Sequence, residues 1–127
     1  MVQYRMLRKE KEILVKSIFS DIALYIDPLD TAFSFGLCHL WRKKLVSCIR
    51  KGAKVLDICT GTGELAYRIA GRVGEQGSVT GVDFCEEMLD IAKSKLSPQH
   101  KNVSFLFSNA QDLGFPANSF DVVTVSF

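Results

Sequence analysis

No apolar run in these 127 residues approaches the roughly 18 residues needed to cross a bilayer, so a membrane-spanning helix is excluded from the sequence as it stands. The opening stretch "MVQYRMLRKEKE" is charged where a secretory leader would be apolar. The cysteines Cys38, Cys48, Cys59 and Cys85 are scattered and form no C-x-x-C pair, which argues against a metal site or a disulfide frame. Reduced thiols and a cytoplasmic location are therefore expected. There is no internal repeat and no low-complexity stretch. Acidic residues are scarce at the start: residues 1–54 hold 11 Lys and Arg against 5 Asp and Glu, a net of +6, and residues 55–127 hold 5 against 9, a net of −4. The basic half reads either as a solvated helical surface or as a face for an anionic membrane or partner, with salt-sensitive binding to anionic vesicles as its test. No nucleic-acid partner is expected.

What is present begins with helical patterns. Residues 4–19 space Leu7, Ile13, Leu14, Ile18 and Phe19 between charges. "DIALYIDPLD" reads as a short helix followed by a turn at Pro28. "FSFGLCHLWRKKLVSCIRKG" sets Leu37, Leu40, Trp41, Leu45, Val46 and Ile49 at helical spacing, with Lys51 and Gly52 as its close. The period then changes. "KVLDI" is a short, nearly continuous apolar run, as in a parallel strand buried on both faces. A glycine-rich turn and a helix to about Arg72 follow. "GSVTGVD", "NVSFLF" and "FDVVTVSF" read as further strands, and "CEEMLDIAKSKL" as a helix with Glu86 and Glu87 in its first turn, where the helix dipole favours them. The alternation β-α-β-α-β-β implies an α/β protein with right-handed crossovers and an open, doubly wound, Rossmann-like parallel sheet. Residues 1–127 are taken as a single domain, helical over 1–50 and a parallel sheet over 51–127. The last strand has no cover after it, so the sheet is expected to be incomplete. The chain is expected to be the N-terminal part of a longer protein, or else a homodimer, a swapped strand or a partner chain would complete the sheet.

The stretch "LDICTGTGELAYRIA" (56–70) carries the chemistry. Gly61 and Gly63 allow a tight turn and the close approach of a ligand to backbone, ahead of the free N–H groups of a helix start. The spacing also fits a dinucleotide fingerprint, and alone it is compatible with a plain strand-to-helix turn. Asp57 ends the first strand and Glu64 opens the helix. Beside a pyrophosphate, at roughly 5 Å and an effective dielectric near 20, each would cost about 3 kcal/mol. A cofactor bearing an ammonium and a sulfonium, such as S-adenosylmethionine, would be attracted instead. Asp83, closing "TGVD" 20 residues beyond Gly63, suits ribose hydroxyls and disfavours a 2′-phosphate. Asn109, Ala110 and Gln111 follow the third strand and could flank an adenine, or be an ordinary polar loop. Ser126 and Phe127 end the fourth strand beside the same crevice. These residues alone point to a cofactor site at Asp57, Gly61, Gly63 and Asp83 and to no metal, with Asn109 and Ala110 as either ligand contacts or loop residues and Ser126 as either a ligand contact or an exposed hydroxyl.

The residues "FSFG…WR…KVLDICTGTGELA…VTGVDFCEEMLDIAKSKL…VSFLFSNAQDLGFPANSFDVVTVSF" resemble the ubiquinone/menaquinone biosynthesis methyltransferases, the UbiE family, from about Phe19 to Phe127. The resemblance implies a class I S-adenosylmethionine-dependent fold and C-methylation of a polyprenylated quinol. It carries the cofactor contacts to Thr62, Asp83, Asn109, Ala110 and Ser126, with Gly61, Gly63 and Asp57 in the same motif. The sequence departs at Cys59, where the family has Gly or Ala. It departs also at Ile26-Asp27 in place of Tyr-Asp, at Asp30 in place of Asn, and at Leu113-Gly114-Phe115 in place of Leu-Pro-Phe. In the family, Gly-Leu-Arg-Asn follows the final Ser-Phe and begins the second half of the domain. That half holds much of the quinol pocket and an Arg implicated in the chemistry, so no catalytic base is named here. Asp27 or Asp30 would serve as a base or as helix-cap and turn residues. Phe33, Phe35 and Trp41 would line a lipid pocket or, as the ordinary role of aromatics, pack in the core. The alternatives to the enzyme are a non-catalytic S-adenosylmethionine-binding fragment completed by a partner chain and an NAD-dependent oxidoreductase.

Overall fold

The computed structural model describes the backbone of residues 2–126 and the side chains of residues 8–126; the side chain of Leu7 and all of Phe127 lie outside the described residues. Three helices come first: α1 (Val2–Ile22), α2 (Ile26–Phe33) and α3 (Leu37–Ser47). The expected order of helix and turn around Pro28 is reversed. The chain turns at Ala23–Tyr25, and Pro28 then sits in the first turn of α2 beside Asp27. A proline is tolerated there because its missing N–H would have had no partner inside the helix. Helix α3 stops at Ser47, short of the expected close at Lys51 and Gly52, and Gly52 instead donates its N–H to the Val73 carbonyl at 2.8 Å.

The remainder alternates strand and helix: β1 (Lys54–Ile58), α4 (Glu64–Val73), β2 (Ser78–Asp83), α5 (Glu86–Ser94), a 3₁₀ turn at Pro98–His100, β3 (Val103–Phe107) and β4 (Val122–Val125). The four strands form one sheet in the order β3-β2-β1-β4, and every pairing is parallel. Register sets the core. Val122, Val55, Val79 and Val103 lie side by side across all four strands, so they project to the same face. Onto them α4 places Leu65, Ala66, Ile69, Ala70 and Val73, spaced to form one helical stripe, and α5 places Leu89 and Ala92. Leu45 and Val46 of α3 close the side of the same cluster. Each fully buried Val, Leu or Ile side chain here contributes about 1.5–3 kcal/mol against an exposed one. Helices α3, α4 and α5 thus share one face of the sheet, while the opposite face leaves Leu106, Val123 and Val125 exposed.

Two residues along the strands, on the same face, the row is Thr124, Asp57, Gly81 and Phe105. The Phe105 ring fills the space over Gly81, where a Cβ would come within 2.8 Å of it. Helix α1 crosses α5, with Ala23 packed on Cys85 and Met88 and the Ser20 hydroxyl donating to Glu87 at 2.8 Å. The strand order has one consequence for ligands. After β1 the chain steps to one side through β2 and β3, and β4 returns to the other side. The order therefore reverses between the neighbours β1 and β4, and such a switch point places a crevice at the carboxyl ends of the strands.

Candidate cofactor site

The floor of that crevice is Asp57. It is 1% exposed, and both carboxylate oxygens are occupied: Thr60 donates to one at 2.7 Å and Thr124 to the other at 2.6 Å. Burial pushes its pKa up, the two hydroxyls work in the opposite direction, and the nearby Asp83 charge adds to the rise. Thr124 shares the row of Asp57 in the sheet, so a strand pairing 67 residues away in sequence supplies one of the two donors.

Above the floor the chain bends through Cys59, Gly61 and Gly63, with φ of 55°, 56° and 81°. The Thr60 N–H donates to Val82 and the Gly63 N–H to Thr60, each at 3.0 Å. The two glycines are required for different reasons. A Cβ on Gly63 would meet the Phe105 ring at 2.8 Å, whereas a Cβ on Gly61 would project into open space. Gly61 therefore faces the crevice and Gly63 faces the core. The Cys59 thiol is held toward its neutral form, first by burial and then by the charges of Asp83 and Asp57.

Asp83 fastens the turn from the second strand. One oxygen accepts the Gly61 N–H at 2.8 Å and the other the Cys85 N–H at 3.0 Å. A carboxylate oxygen has room for a second donor, so each retains capacity toward the cavity. Thr62, 3% exposed, turns its hydroxyl onto both oxygens of Asp27 at 2.8 Å, tying the glycine turn to α2.

Two lobes open here and share Cys59, Asp83 and Phe84 as a common wall. The larger, about 740 Å³, runs from Asp83 to Ser108, Asn109, Ala110 and Gln111, with Arg8, Lys11 and Glu12 of α1 on its rim. The smaller, about 370 Å³, is lined by Gly61, Thr62, Asp27, Asp30, Arg42 and Ser126, among others. Of the expected residues, Asp83 faces both lobes, Gly61, Thr62 and Ser126 face the smaller, and Asn109 and Ala110 face the larger. Asn109 closes its loop locally, its side-chain oxygen accepting the Gln111 N–H at 3.0 Å. Asp57 and Gly63 line neither lobe: the first is the floor, the second the packing point under the turn.

Sequence reasoning missed Lys95. Its ammonium reaches Glu64 at 3.0 Å, the Thr62 carbonyl at 3.1 Å and Asp27 at 3.3 Å. No local pattern marks a lysine at the end of α5 for this role. Arg42, part of the "WR" pair, forms an ion pair with Asp30 at 3.0 Å. Asp27 and Asp30 are thus held in ion pairs at the cavity wall rather than serving as simple caps. The expectation that Phe33, Phe35 and Trp41 pack in the core is corrected. They are 81%, 93% and 51% exposed: Phe33 ends α2, which buries no residue, Phe35 lies in the turn before α3, and on α3 the inward residues are Cys38, Leu45 and Val46 rather than Trp41.

Around the smaller lobe, Asp27, Asp30, Glu64 and Asp83 face Arg42 and Lys95: four carboxylates against two cations, a net of −2. Together with the open space over Gly61, this fits a ligand that presents positive charge to the turn. It does not fit a pyrophosphate.

The ubiE/COQ5 methyltransferase family profile matches residues 6–127. The chain is 37% identical over 124 residues to the ubiquinone/menaquinone biosynthesis C-methyltransferase UbiE of Serratia proteamaculans, covering 94% of this chain and 49% of that protein. It is 39% identical over 124 residues to the demethylmenaquinone methyltransferase of Bacillus cereus, covering 95% and 52%. The chain therefore spans about half the length of these relatives. Among solved structures, a SAM-dependent methyltransferase from Aquifex aeolicus matches 68% of this chain and 47% of its own, with a TM-score of 0.62 at 31% identity.

Proposed function

The chain belongs to the ubiE/COQ5 methyltransferase family, and from that premise we propose that it carries the S-adenosylmethionine-binding half of an enzyme that methylates a ring carbon of a polyprenylated quinol. The observation that carries this reading is the two-lobed cavity at the strand ends. It has an excess of carboxylates at one lobe, an open glycine at its turn and a polar loop at the other lobe. When bound, the cofactor supplies an electrophilic methyl group on a sulfonium.

The rest concerns this chain's own residues. Asp83, already fixed by two backbone N–H groups, keeps lone pairs for ribose hydroxyls. Asn109 and Ala110 flank the adenine side, and Gly61, Thr62 and Ser126 the methionine side. Asp57 acts from beneath by holding Thr60 and β4 in place. Methyl transfer needs an in-line approach of the nucleophile in a dry site more than covalent help, so positioning is the main contribution of this half. The quinol carbon gains nucleophilicity when a ring hydroxyl loses its proton, and the base for that step is left unassigned.

A membrane contact through the basic N-terminal half belongs to the same reading. Residues 31–56 hold Arg42, Lys43, Lys44, Arg50, Lys51 and Lys54 and no acid, and Phe33, Phe35 and Trp41 stand exposed beside them. A partner for β4, from the same protein or a second copy, is included as well, since β1 is the one strand paired with β4 among the described residues.

Isothermal titration with S-adenosylmethionine and with NAD, followed by transfer of a labelled methyl group to demethylmenaquinol, tests the proposal. Saturable binding of S-adenosylmethionine is expected. Binding of NAD with no response to S-adenosylmethionine overturns it, and cofactor binding without turnover assigns the chain the binding role alone.

A further inference from the structure

We propose that Lys95 is the positioning residue of the cofactor turn, a cationic clasp that holds α2 against it. The inference rests on the cofactor reading above and deepens it. Lys95 caps the carboxyl end of α5, and an ammonium has three protons. Here each has a partner: Glu64 in the first turn of α4, the backbone carbonyl of Thr62 in the glycine turn, and Asp27 in the first turn of α2. Thr62 closes the ring, because its hydroxyl donates to the same Asp27 carboxylate. One side chain thus joins the turn to three helices, two of which begin at the cavity wall. Asp27, Thr62 and Glu64 all line the smaller lobe. Without the ammonium, two carboxylates and a carbonyl oxygen would converge with no cation between them, and the remaining Thr62 hydroxyl would serve Asp27 but not Glu64. Separation of α2 from the turn would relieve that repulsion.

Two effects of removing Lys95 have opposite signs, and this makes the inference testable. If only charge mattered, Lys95→Met would leave the lobe more negative and a cationic cofactor would bind more tightly. If Lys95 positions the turn, the same substitution weakens binding despite the added negative charge. The expected result is binding of S-adenosylmethionine weakened about tenfold or more, as for residues coupled through one network, with substantial recovery in Lys95→Arg. Asp27→Asn should weaken binding too, and the double variant should lose much less than the two single losses combined.

Titration calorimetry on the whole chain reads these affinities. Amide hydrogen exchange of residues 26–36 without cofactor reads the attachment of α2 separately. Faster exchange in Lys95→Met, restored in Lys95→Arg, supports the clasp even if no variant binds S-adenosylmethionine, in which case it is the cofactor reading that falls. Unchanged exchange together with equal or tighter binding in Lys95→Met overturns the clasp. Should Lys95→Met fail to fold, Asp27→Asn and Lys95→Arg decide: wild-type exchange and affinity in Asp27→Asn would overturn it equally.

Discussion

Gly61 and Gly63 look alike in the sequence, yet the structure requires opposite outcomes from the same substitution. Gly63→Ala places a Cβ at φ of 81° and within 2.8 Å of the Phe105 ring and 3.1 Å of the Tyr67 ring. The left-handed backbone costs about 1–2 kcal/mol for a residue with a Cβ. The overpacking costs about 1–3 kcal/mol more, because Phe105 is buried over Gly81 and has no space to retreat into. A loss of about 2–5 kcal/mol is expected, a large share of the roughly 5–15 kcal/mol that holds a domain folded. Gly61→Ala meets nothing within 4 Å, so its folding cost is the backbone term alone, about 1–2 kcal/mol. Its methyl group instead enters the open space over the turn that the proposed site gives to the cofactor, and binding should fall by about tenfold or more. Urea unfolding followed by tryptophan fluorescence reads the first quantity, and titration with S-adenosylmethionine reads the second. A Gly63→Ala variant within 0.5 kcal/mol of wild type, or a Gly61→Ala variant with unaltered affinity, would refute the assignment of one glycine to the core and the other to the ligand; the 0.5 threshold is about the scatter of a neutral surface change.

Thr124→Val keeps the shape but removes one of the two hydroxyls that satisfy Asp57, and should cost about 1.5–3 kcal/mol in urea unfolding, with Thr124→Ser close to wild type. Because the pKa of Asp57 is raised, the cost of its charge is present at neutral pH and relieved as pH falls through the raised value; the Thr124→Val deficit should therefore shrink on the alkaline side of the ordinary carboxylate range. Asp121 behaves in the opposite sense. The Lys54 N–H and, with it, Arg50 lower its pKa, so its stabilisation is present above the ordinary value and lost as pH falls through the lowered one. The Asp121→Asn deficit should persist to more acidic pH before it vanishes, and unfolding midpoints compared across pH 2.5–7, a span covering the ordinary carboxylate range, test both windows.

Much of the fold was legible because its signals are local. "KVLDI" became β1 at its quoted bounds, and "GSVTGVD" and "NVSFLF" contain β2 and β3, since a continuous apolar run between turn residues has few other uses. Glu86 and Glu87 marked the start of α5 through the helix dipole. The reading failed where a local rule had two solutions. A proline closes one helix or opens the next, and the bonding around Tyr25 selected the second. An aromatic at helical spacing belongs to whichever face is inward, and for α3 that face was not the one bearing Trp41.

The sequence by itself determined the order of strands and helices, the position of the glycine turn, the acid at the end of β2 and the family. The first three depend on residues within a few places of one another, and the family on several such motifs following in order along the chain. Only the tertiary structure decided that Asp57 is a floor, that Gly63 faces the core, and that Lys95 joins the turn to α2. Those roles are set by Thr124, Phe105 and Asp27, partners between 42 and 68 positions away along the chain, and sheet register with helix packing alone brings them within bonding or contact distance.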